Sequence, residues 1–393
     1  MERVAGILRR QNIRRQIVGR QKEEVYVDYS LIFIILFLLA FGLVMIYSTS
    51  SYGAYMTQKG DSAYFFKHQF ASTLIGIAAM LFMSYFPYKL LKQLSFPIYA
   101  ASVVLLFMVW PFGSRINGAK RWLKFAGVSV QPAEIAKIAV IIMTATLIIK
   151  LKKQLMTRKG FGVAIGVAAL PSFLIYAITH DLSSAVITMG IGVVMLFIST
   201  PDYKRYVLAA VAVLSLAAVI VLIVKNSDPS NGMNYRFERI LAWLEPTKHA
   251  NGRGFQTLQA LYAIGSGGFF GKGLGESMQK MGFIPEPQND MIFSIICEEL
   301  GLFGAIAVML MFLILIWRLM IIANNSPDMF GALLVIGVMG HIAIQVILNI
   351  AVATNTIPNT GITLPFISYG GTAVIFQLAE IGIALNVGRN IGR

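Results

Sequence analysis

The chain has 393 residues, of which 57% are hydrophobic and only 13% are charged, and its mean hydropathy is +0.71. Soluble globular domains contain about 25% charged residues, so this composition excludes intrinsic disorder and argues against an ordinary soluble enzyme. The single cysteine, Cys297, excludes an intrachain disulfide and a cysteine-based zinc cluster. The four histidines are far apart in the sequence, and we therefore predict no metal site.

The net charge of +15 is distributed between apolar runs rather than gathered in one basic patch. Lysines and arginines in such positions set membrane topology and contact anionic headgroups. A nucleic-acid-binding protein would instead concentrate its basic residues on one face or along one helix. We therefore expect a membrane protein that has no nucleic-acid partner.

Ten apolar segments approach the about 20 residues that a membrane-spanning helix needs. They predict an all-α polytopic membrane protein with ten transmembrane helices, because only loop 225–290 is long enough to form a separate soluble region. The predicted spans are residues 30–47, 69–86, 94–110, 132–149, 161–178, 183–199, 206–224, 301–323, 329–353 and 368–388.

The orientation follows from the basic residues that precede the first span. A basic stretch of this length, followed by so extensive an apolar run, favours an uncleaved span over a cleaved signal peptide. The positive-inside rule then places segment 1–28 in the cytoplasm, and ten crossings of the membrane domain 29–388 return the tail 389–393 to that side. The large loop 225–290, between spans seven and eight, is predicted to be extracytoplasmic. The basic residues are Arg3, Arg9, Arg10, Arg14, Arg15, Arg20 and Lys22.

One short loop, 111–131, carries four basic residues on the predicted outer face, namely Arg115, Lys120, Arg121 and Lys124. Long loops escape the positive-inside rule, but a loop of this length does not. Outward basic groups beside a membrane indicate an anionic ligand, such as a phosphate-bearing lipid headgroup. A solvated loop without a ligand is the alternative.

Charged residues also lie at the ends of two predicted spans. Glu134 and Lys137 are three residues apart at the start of span four, so they share a helix face and can pair. Charges at this depth usually face an internal cavity, and a structural ion pair between helices is the alternative. Asp181 precedes span six, where we predict that it caps the helix N-terminus.

Residues 265–275, GSGGFFGKGLG, resemble a nucleotide-binding loop in their glycine content. A dinucleotide or P-loop motif requires a strand before the glycines and a helix after them within an α/β unit. This segment instead lies in a predicted outer loop of a membrane protein. We therefore expect a tight irregular turn, whose backbone N–H groups could still face a pyrophosphate.

The apolar stretch 291–323 would measure about 50 Å as a single helix, which exceeds the about 30 Å hydrocarbon core. Its first turns must therefore protrude, bend or tilt strongly, and Asp290 lies at their start. Aspartate at this position is either an N-cap or, as a carboxylate near the outer face, a catalytic group. The polar stretch 355–374 precedes the last span, and irregular backbone at that depth must be buried or line a water-filled cavity.

Four motifs in order resemble the shape, elongation, division and sporulation (SEDS) family, which includes FtsW, RodA and SpoVE. This resemblance covers residues 28–388 and implies a ten-span peptidoglycan glycosyltransferase of the bacterial cell membrane. Such enzymes polymerise lipid II together with a class B penicillin-binding protein and, in division, with divisome proteins. LAFGLVMIYSTSS in the first span and LPFISYGG near the end are most similar to the division branch, with elongation or sporulation as the alternatives. The motifs are NGAKRW (117–122), QPAEIAK (131–137), PEPQNDMIFSIICEELG (285–301) with the preceding glycine loop, and TGITLPFISYGG (360–371).

The resemblance also assigns roles to individual residues. The essential loop aspartate of the family corresponds to Asp290, the arginine of its GAxRW motif to Arg121, and its intramembrane pair to Glu134 and Lys137. Many members have His-Thr before the aspartate, where this chain has Gln288-Asn289. A mechanism that needs a histidine next to the aspartate is therefore not expected here.

The implied reaction transfers a growing glycan from undecaprenyl pyrophosphate to the 4-hydroxyl of another lipid II in one inverting displacement. It requires a carboxylate base, for which we predict Asp290, and positive charge for the leaving pyrophosphate. No cofactor is predicted with certainty, and a divalent cation could assist, although no ligand cluster is present. The predicted substrate-binding residues are Lys120, Arg121, Lys272, Lys280 and Glu286.

Two other functions fit parts of the sequence. A transporter that flips lipid-linked precursors would also have ten spans, intramembrane charges and prolines within spans. It would need a hydrophilic path through the whole bilayer, whereas most unusual charges here lie at the predicted outer face. A scaffold of the division machinery would have no need for Asp290.

Overall fold

The computed structural model of the chain describes residues 28–116, 119–125, 128–226, 235–252 and 254–391. Most of the predicted basic segment 1–28 and part of the predicted outer loop therefore lie outside the described residues. Ten of the described helices are long and apolar enough to cross a membrane. The prediction of an all-α protein with ten spans is thus confirmed.

The helices are numbered in chain order, and short helices separate some of the spans. A 3₁₀ turn, Lys152–Met156, follows α5. The helices are α1 (Tyr29–Thr57), α2 (Tyr64–Tyr85), α3 (Tyr88–Gln93), α4 (Ser95–Phe112), α5 (Pro132–Leu151), α6 (Arg158–Thr179), α7 (Leu182–Ser199), α8 (Tyr203–Asn226), α9 (Tyr235–Leu244), α10 (Gly254–Ser266), α11 (Ile292–Asn324), α12 (Met329–Ala353) and α13 (Gly371–Arg389).

The centre of the bundle is formed by α5, α12 and α13, and α8 stands at its edge. In the most apolar window of each span, 72% of the residues of the α5 span are buried and only 6% of those of α8. Helix α8 packs mainly against α9, and its apolar side chains point outward. Apolar side chains on the surface of a membrane helix face lipid, so this exposure agrees with a membrane environment.

Close helix packing depends on glycine at specific positions. The most extensive helix pair is α2 with α13, and a Cβ at Gly382 of α13 would lie 2.5 Å from the Met80 carbonyl oxygen of α2. A Cβ at Gly42 of α1 would lie 2.6 Å from the carbonyl oxygen of Phe366. Small residues at such contacts let backbones approach closely, which is how membrane helices associate.

Four helices begin at a side chain that accepts a hydrogen bond from the first turn. Asp181 accepts from Ser184 N at the start of α7, so the predicted N-cap is confirmed. These bonds satisfy backbone donors that have no partner within the helix. The other capping residues are Asp28 of α1, Thr157 of α6 and Asp328 of α12.

The segment between α4 and α5, expected to be a loop, contains a three-stranded antiparallel sheet. Its strands are β1 (Ser114–Ile116), β2 (Ala119–Phe125) and β3 (Val128–Val130), in the order β1-β2-β3. Successive side chains of the central strand AKRWLKF point to opposite faces of the sheet, so Leu123 and Lys124 lie on different faces. Its Leu123 is buried and Lys124 is exposed.

Helix α11 bends at Gly301, where the backbone leaves helical geometry at φ 66° and ψ −164°. The positive φ favours glycine, and a Cβ there would lie 2.4 Å from the backbone nitrogen of Gly271. Residues 292–299, before the bend, are all buried inside the protein. Of the three outcomes expected for this long helix, the structure shows a bend. It keeps the first two turns at one end of the bundle.

That end is called the loop face, and it is where residues 113–116, 119–125, 128–131, 179–182, 267–291 and 354–370 lie. We predict that it is extracytoplasmic. In a Cys297→Ala chain, a cysteine replacing the exposed Thr247, between α9 and α10, should react with an impermeant thiol reagent added to intact spheroplasts. A cysteine replacing the exposed Gln154, at the opposite end of α5, should not react. The reverse labelling pattern would contradict the predicted orientation.

Candidate active site

Asp290 lies at the loop face, immediately before the cap of α11. The helix begins at Ile292 and its cap position is Met291, without a side-chain hydrogen bond to the first turn. The interpretation of Asp290 as the N-cap is therefore wrong. Glu286, between Pro285 and Pro287, has a left-handed backbone at φ 47°, so the helix does not extend back to this residue.

Asn349 of α12 holds the Asp290 backbone in place. Its amide nitrogen donates to the Asp290 carbonyl at 2.9 Å and to the Ile362 carbonyl at 2.7 Å, and its side chain is fully buried. A further backbone bond, Tyr369 N to Gln288 O at 2.9 Å, joins the same two segments. These bonds fasten the Asp290 loop to residues 354–370, so the carboxylate has a defined position.

The Asp290 carboxylate lies among the backbone of that segment and two charged side chains. A Cβ at Gly361 would be 3.9 Å from Asp290 Oδ2, so the peptide backbone passes close to the carboxylate. Burial raises the pKa of Asp290 to about 6, the Glu286 carboxylate adds to the rise, and the Arg239 guanidinium opposes it. A carboxylate with a pKa near neutral is suited to exchange protons at physiological pH.

Arg121 of β2 is connected to the same segment through the start of α7. Its guanidinium lies 3.7 Å from Asp181 Oδ2, and Ser183 donates a short hydrogen bond to the Thr360 carbonyl. Thr360 precedes Gly361, which lies near the Asp290 carboxylate. Arg121 and Asp290 are thus linked to one short stretch of backbone through their neighbours. Lys120 donates to the Trp110 carbonyl at the edge of the bundle.

Glu134 and Lys137 form the ion pair that their spacing allows. Lys137 Nζ lies 2.8 Å from Glu134 Oε2, and both side chains are buried in the first turns of α5. They lie at the loop-face end of the bundle, shortly after Gln131 in the chain. The amide nitrogen of Gln131 lies 3.5 Å from Asp181 Oδ2. The pair therefore stands beneath the Arg121 region, at membrane depth, where such charges are costly unless paired.

Lys272 and Lys280 occupy internal ion pairs with consecutive glutamates of α11. Lys272 Nζ lies 2.7 Å from Glu298 Oε1, and Lys280 Nζ lies 2.7 Å from Glu299 Oε1. Both glutamates are fully buried, and Lys280 is 5% exposed. Ser48 of α1 donates to Glu299 at 2.8 Å, which joins the network to the first helix. These five residues are called the α11 charge network.

The glycine-rich turn is irregular, as predicted, but its N–H groups bond to protein rather than pointing into the site. The N–H of Lys272 donates to the Glu298 carbonyl at 2.9 Å, and that of Gly273 to the Glu299 carbonyl at 3.0 Å. A Cβ at Gly267 would lie 1.9 Å from the Cys297 carbonyl oxygen, so only glycine fits against α11. The N–H groups of Lys272 and Gly273 are therefore not free to face a pyrophosphate.

Sequence reasoning missed Asn349 and one buried pair in the middle of the bundle. His341 of α12 lies 2.7 Å from Glu380 of α13, and both side chains are 1% exposed. The sequence did contain a signal for this pair, because His341 and Glu380 are ionisable residues that each lie inside a predicted span. Among the described residues, no group of three or more His, Cys, Asp or Glu side chains could hold a metal ion.

Removing one partner of the α11 charge network tests whether its lysines serve structure. Lys280→Met would leave Glu299 unpaired in a buried position, which costs roughly 3–5 kcal/mol. We expect a lower melting temperature in detergent, and partial recovery when Glu299→Gln is added, because the second change removes the uncompensated charge.

Lys67→Met is the matched control, since its partner Asp61 is on the surface and the two side chains are 64% and 41% exposed. Exposed pairs contribute little, so the control should melt with the parent protein. If Lys280→Met keeps the parent melting temperature but loses substrate turnover, the lysine acts on substrate instead.

The comparisons with known proteins agree with the motifs. The chain matches the FtsW/RodA/SpoVE family model, described as cell cycle protein, over residues 29–391. It is 38% identical to stage V sporulation protein E of Bacillus subtilis, with 92% of this chain and 97% of the relative covered. It is also 38% identical to "Probable peptidoglycan glycosyltransferase FtsW" of Geobacter metallireducens, covering 93% of this chain and 96% of that one.

Solved structures share the fold. A chain of a structure described as structural coordination of polymerization and crosslinking by a peptidoglycan synthase complex has a TM-score of 0.76 at 26% identity, with coverages of 93% of this chain and 98% of that one. The rod shape determining protein RodA of Thermus thermophilus has a TM-score of 0.66 at 24% identity, with coverages of 94% and 99%, which shows the fold alone.

The equal identities to a sporulation protein and to an FtsW do not favour the division branch that the motifs suggested. They agree on the family, since each relative is covered over nearly its whole length. The chain is therefore a multi-pass bacterial membrane protein that belongs to the FtsW/RodA/SpoVE family of cell cycle proteins, which the sequence motifs identify as SEDS.

Proposed function

We propose that this protein is a peptidoglycan glycosyltransferase that polymerises lipid II, with Asp290 as the general base. One observation carries the proposal. Asp290 is a carboxylate with a raised pKa at the loop face, it does not cap the helix, and no salt bridge joins it to the described residues. A carboxylate held by its backbone but left without an ion-pair partner is available to accept a proton. The relatives named as glycosyltransferases support the same reaction class.

In the proposed reaction, Asp290 takes the proton from the 4-hydroxyl of the acceptor sugar as that oxygen attacks the anomeric carbon of the donor. The bond to the undecaprenyl pyrophosphate breaks on the opposite face, so one displacement inverts the anomeric configuration. Arg121, beside the same segment of backbone, supplies positive charge for the departing pyrophosphate, and Lys120 lies next to it on β2.

The other charged residues have supporting roles in this proposal. We assign Lys272 and Lys280 to the α11 charge network rather than to substrate, because both face buried glutamates. Glu286 remains on the substrate side, where its charge keeps the Asp290 proton affinity high. Glu134 and Lys137 form a buried ion pair below the Arg121 region and serve the structure there.

The proposed partner is a class B penicillin-binding protein, which would cross-link the strands that this chain makes. Its support is the likeness to a chain of a peptidoglycan synthase complex. We place the activity in septal synthesis with divisome proteins, on the division-type motifs. Sporulation is the second candidate, because of the relative from Bacillus subtilis. Rescue of cells depleted of the division polymerase, with no rescue of a sporulation mutant, would support the septal role.

The alternative of a lipid II flippase predicts different products. Purified protein incubated with lipid II should yield glycan polymer on a sizing gel if it is a polymerase. Translocation of lipid II across vesicles without polymer would support the flippase. In the described spans the buried ionisable side chains His341 and Glu380 bond to each other, which favours the polymerase because a transport path would need accessible polar groups.

Asp290→Asn should keep the fold but lose the base. Amide and carboxylate have nearly the same shape, so the Asn349 bond to the backbone and the loop should persist. We expect lipid II polymerisation to slow at least ~100-fold, the usual loss for a general base, with an unchanged melting temperature. Asp290→Glu should retain little activity, because a shift of about 1 Å can cost ~100-fold.

The control for this test is Asp61→Asn, which removes an exposed carboxylate from the link between α1 and α2 at the same end of the bundle. It should polymerise lipid II at the parent rate. Near-parent activity of Asp290→Asn would exclude the aspartate as the base.

The pH dependence of polymerisation should report the raised pKa. Only the ionised carboxylate accepts a proton, so kcat/KM should rise with pH, with a midpoint near 6, and level off above it. Glu286→Gln removes a neighbouring negative charge and should move the midpoint to lower pH. A midpoint that stays the same in Asp290→Glu and Glu286→Gln chains would assign the titration to another group.

A further inference from the structure

A polar cleft opens at the loop face beside the Asp290 loop, formed where α9, α10 and residues 354–370 meet. Its volume is about 210 Å³. Pockets that hold drug-sized ligands measure about 300–1,000 Å³, so this cleft fits a single ring rather than an extended chain. The residues that the inference uses are Arg239, Trp243, Phe255, Gln256 and Asn359, all of which line it.

The polar side chains of the cleft are held by bonds between its three walls. Trp243 Nε1 donates to the Asn355 carbonyl at 3.0 Å, and the Asn355 amide donates to the Trp243 carbonyl at 3.2 Å. The Asn359 amide donates to Gln256 Oε1 at 3.1 Å, and Arg239 donates to the Asn359 carbonyl at 3.5 Å. The indole therefore has a fixed orientation, and the amides are positioned before a ligand arrives.

The cleft is next to the proposed base. Arg239 is close enough for its charge to act on the Asp290 carboxylate, and Pro285 of the Asp290 loop also lines the cleft. Asn359 accepts from Gly361 N at 3.0 Å, and a Cβ at Gly361 would lie 3.9 Å from Asp290 Oδ2. A ligand in this cleft would therefore lie beside the atom that accepts the proton.

The lining has the chemistry of a sugar site. Partly exposed aromatic rings, here Trp243 and Phe255, offer flat apolar faces to the C–H groups of a pyranose ring. The side chains of Gln256, Asn359 and Arg239 offer hydrogen-bond donors, and the two amides also offer acceptors, as hydroxyl and acetamido groups require. A pyrophosphate would need more positive charge than the one cationic side chain that lines the described part of the cleft, and an acyl chain would not need the amides.

We propose that this cleft binds an N-acetylated hexose of the lipid II headgroup and presents it to Asp290. The proposal rests on the proposed polymerase function and specifies which part of the substrate the cleft recognises. Trp243 stacks on the sugar ring, and Gln256 and Asn359 bond to its acetamido and hydroxyl groups. Arg239 bonds to an acidic or carbonyl group on the same sugar.

A binding experiment tests the cleft without requiring turnover. In an Asp290→Asn chain, three tryptophans, Trp110, Trp122 and Trp317, are replaced by phenylalanine so that Trp243 is the one fluorophore of its type. The soluble disaccharide-peptide of lipid II, without lipid or pyrophosphate, should shift Trp243 emission in a saturable manner. Undecaprenyl pyrophosphate, which lacks the sugars, should not.

The matched control keeps Trp317 as the one tryptophan, because it lies on the outward side of α11 and is 54% exposed. Its emission should not respond to the disaccharide-peptide. A Trp243 response to undecaprenyl pyrophosphate alone would assign the cleft to the pyrophosphate and overturn the sugar proposal. Absence of any Trp243 response to either probe would overturn it too.

Kinetics separates this proposal from the polymerase function. Trp243→Leu and Gln256→Ala should raise the KM for lipid II by about tenfold with a smaller change in kcat, since they remove binding contacts and not the base. Trp317→Phe should leave both constants unchanged. If both cleft variants form polymer with the parent KM, the sugar-site proposal is contradicted and the polymerase function is not. No polymer from the parent protein would contradict the polymerase function, while the fluorescence result would still decide whether the cleft binds sugar.

Discussion

The arrangement of the loop face depends on the burial of two consecutive carboxylates, Glu298 and Glu299, at the start of α11. A buried carboxylate is very costly unless an opposite charge and hydrogen bonds compensate it. Lys272 of the glycine-rich turn and Lys280, five residues beyond that turn, provide the charges, and Ser48 of α1 provides a hydroxyl. Because the two lysines approach from outside the helix, the segment that carries them must lie flat against α11, which its glycines permit.

This network determines where α11 can run. The turn bonds to the carbonyls of Glu298 and Glu299, which a continuous helix would use for its own backbone, and the helix bends two residues later, at Gly301. The segment before the bend is therefore a buried helical segment at the loop face instead of part of a membrane span. Asp290 lies at the N-terminal end of that helical segment, and Asn349 of α12 holds its backbone by a hydrogen bond. A rigid support of this kind is what a catalytic carboxylate needs.

Around Asp290, separate parts of the chain contribute different chemistry to one surface. The β-sheet brings Arg121, α9 and α10 bring the aromatic and amide side chains of the cleft, and residues 359–361 lie between them. In the proposed function, the positive charge would meet the pyrophosphate of the substrate and the cleft would meet a saccharide. The buried pair His341–Glu380 lies deeper in the bundle and stabilises the packing of α12 against α13.

The sequence by itself determined what depends on local chemistry: ten spans from apolar length, the Asp181 cap, the pairing of Glu134 with Lys137 through helical spacing, and a helix too long for the bilayer that must protrude, bend or tilt. Only the tertiary structure decided that Lys272 and Lys280 turn to glutamates, that His341 meets Glu380, and that the 114–130 segment forms a sheet. Hydropathy and helix periodicity act between residues close in sequence, whereas the partner of a long charged side chain depends on which helices pack together. That packing also builds the cleft beside Asp290 from segments more than 100 residues apart, such as Trp243 and Asn355 at a separation of 112.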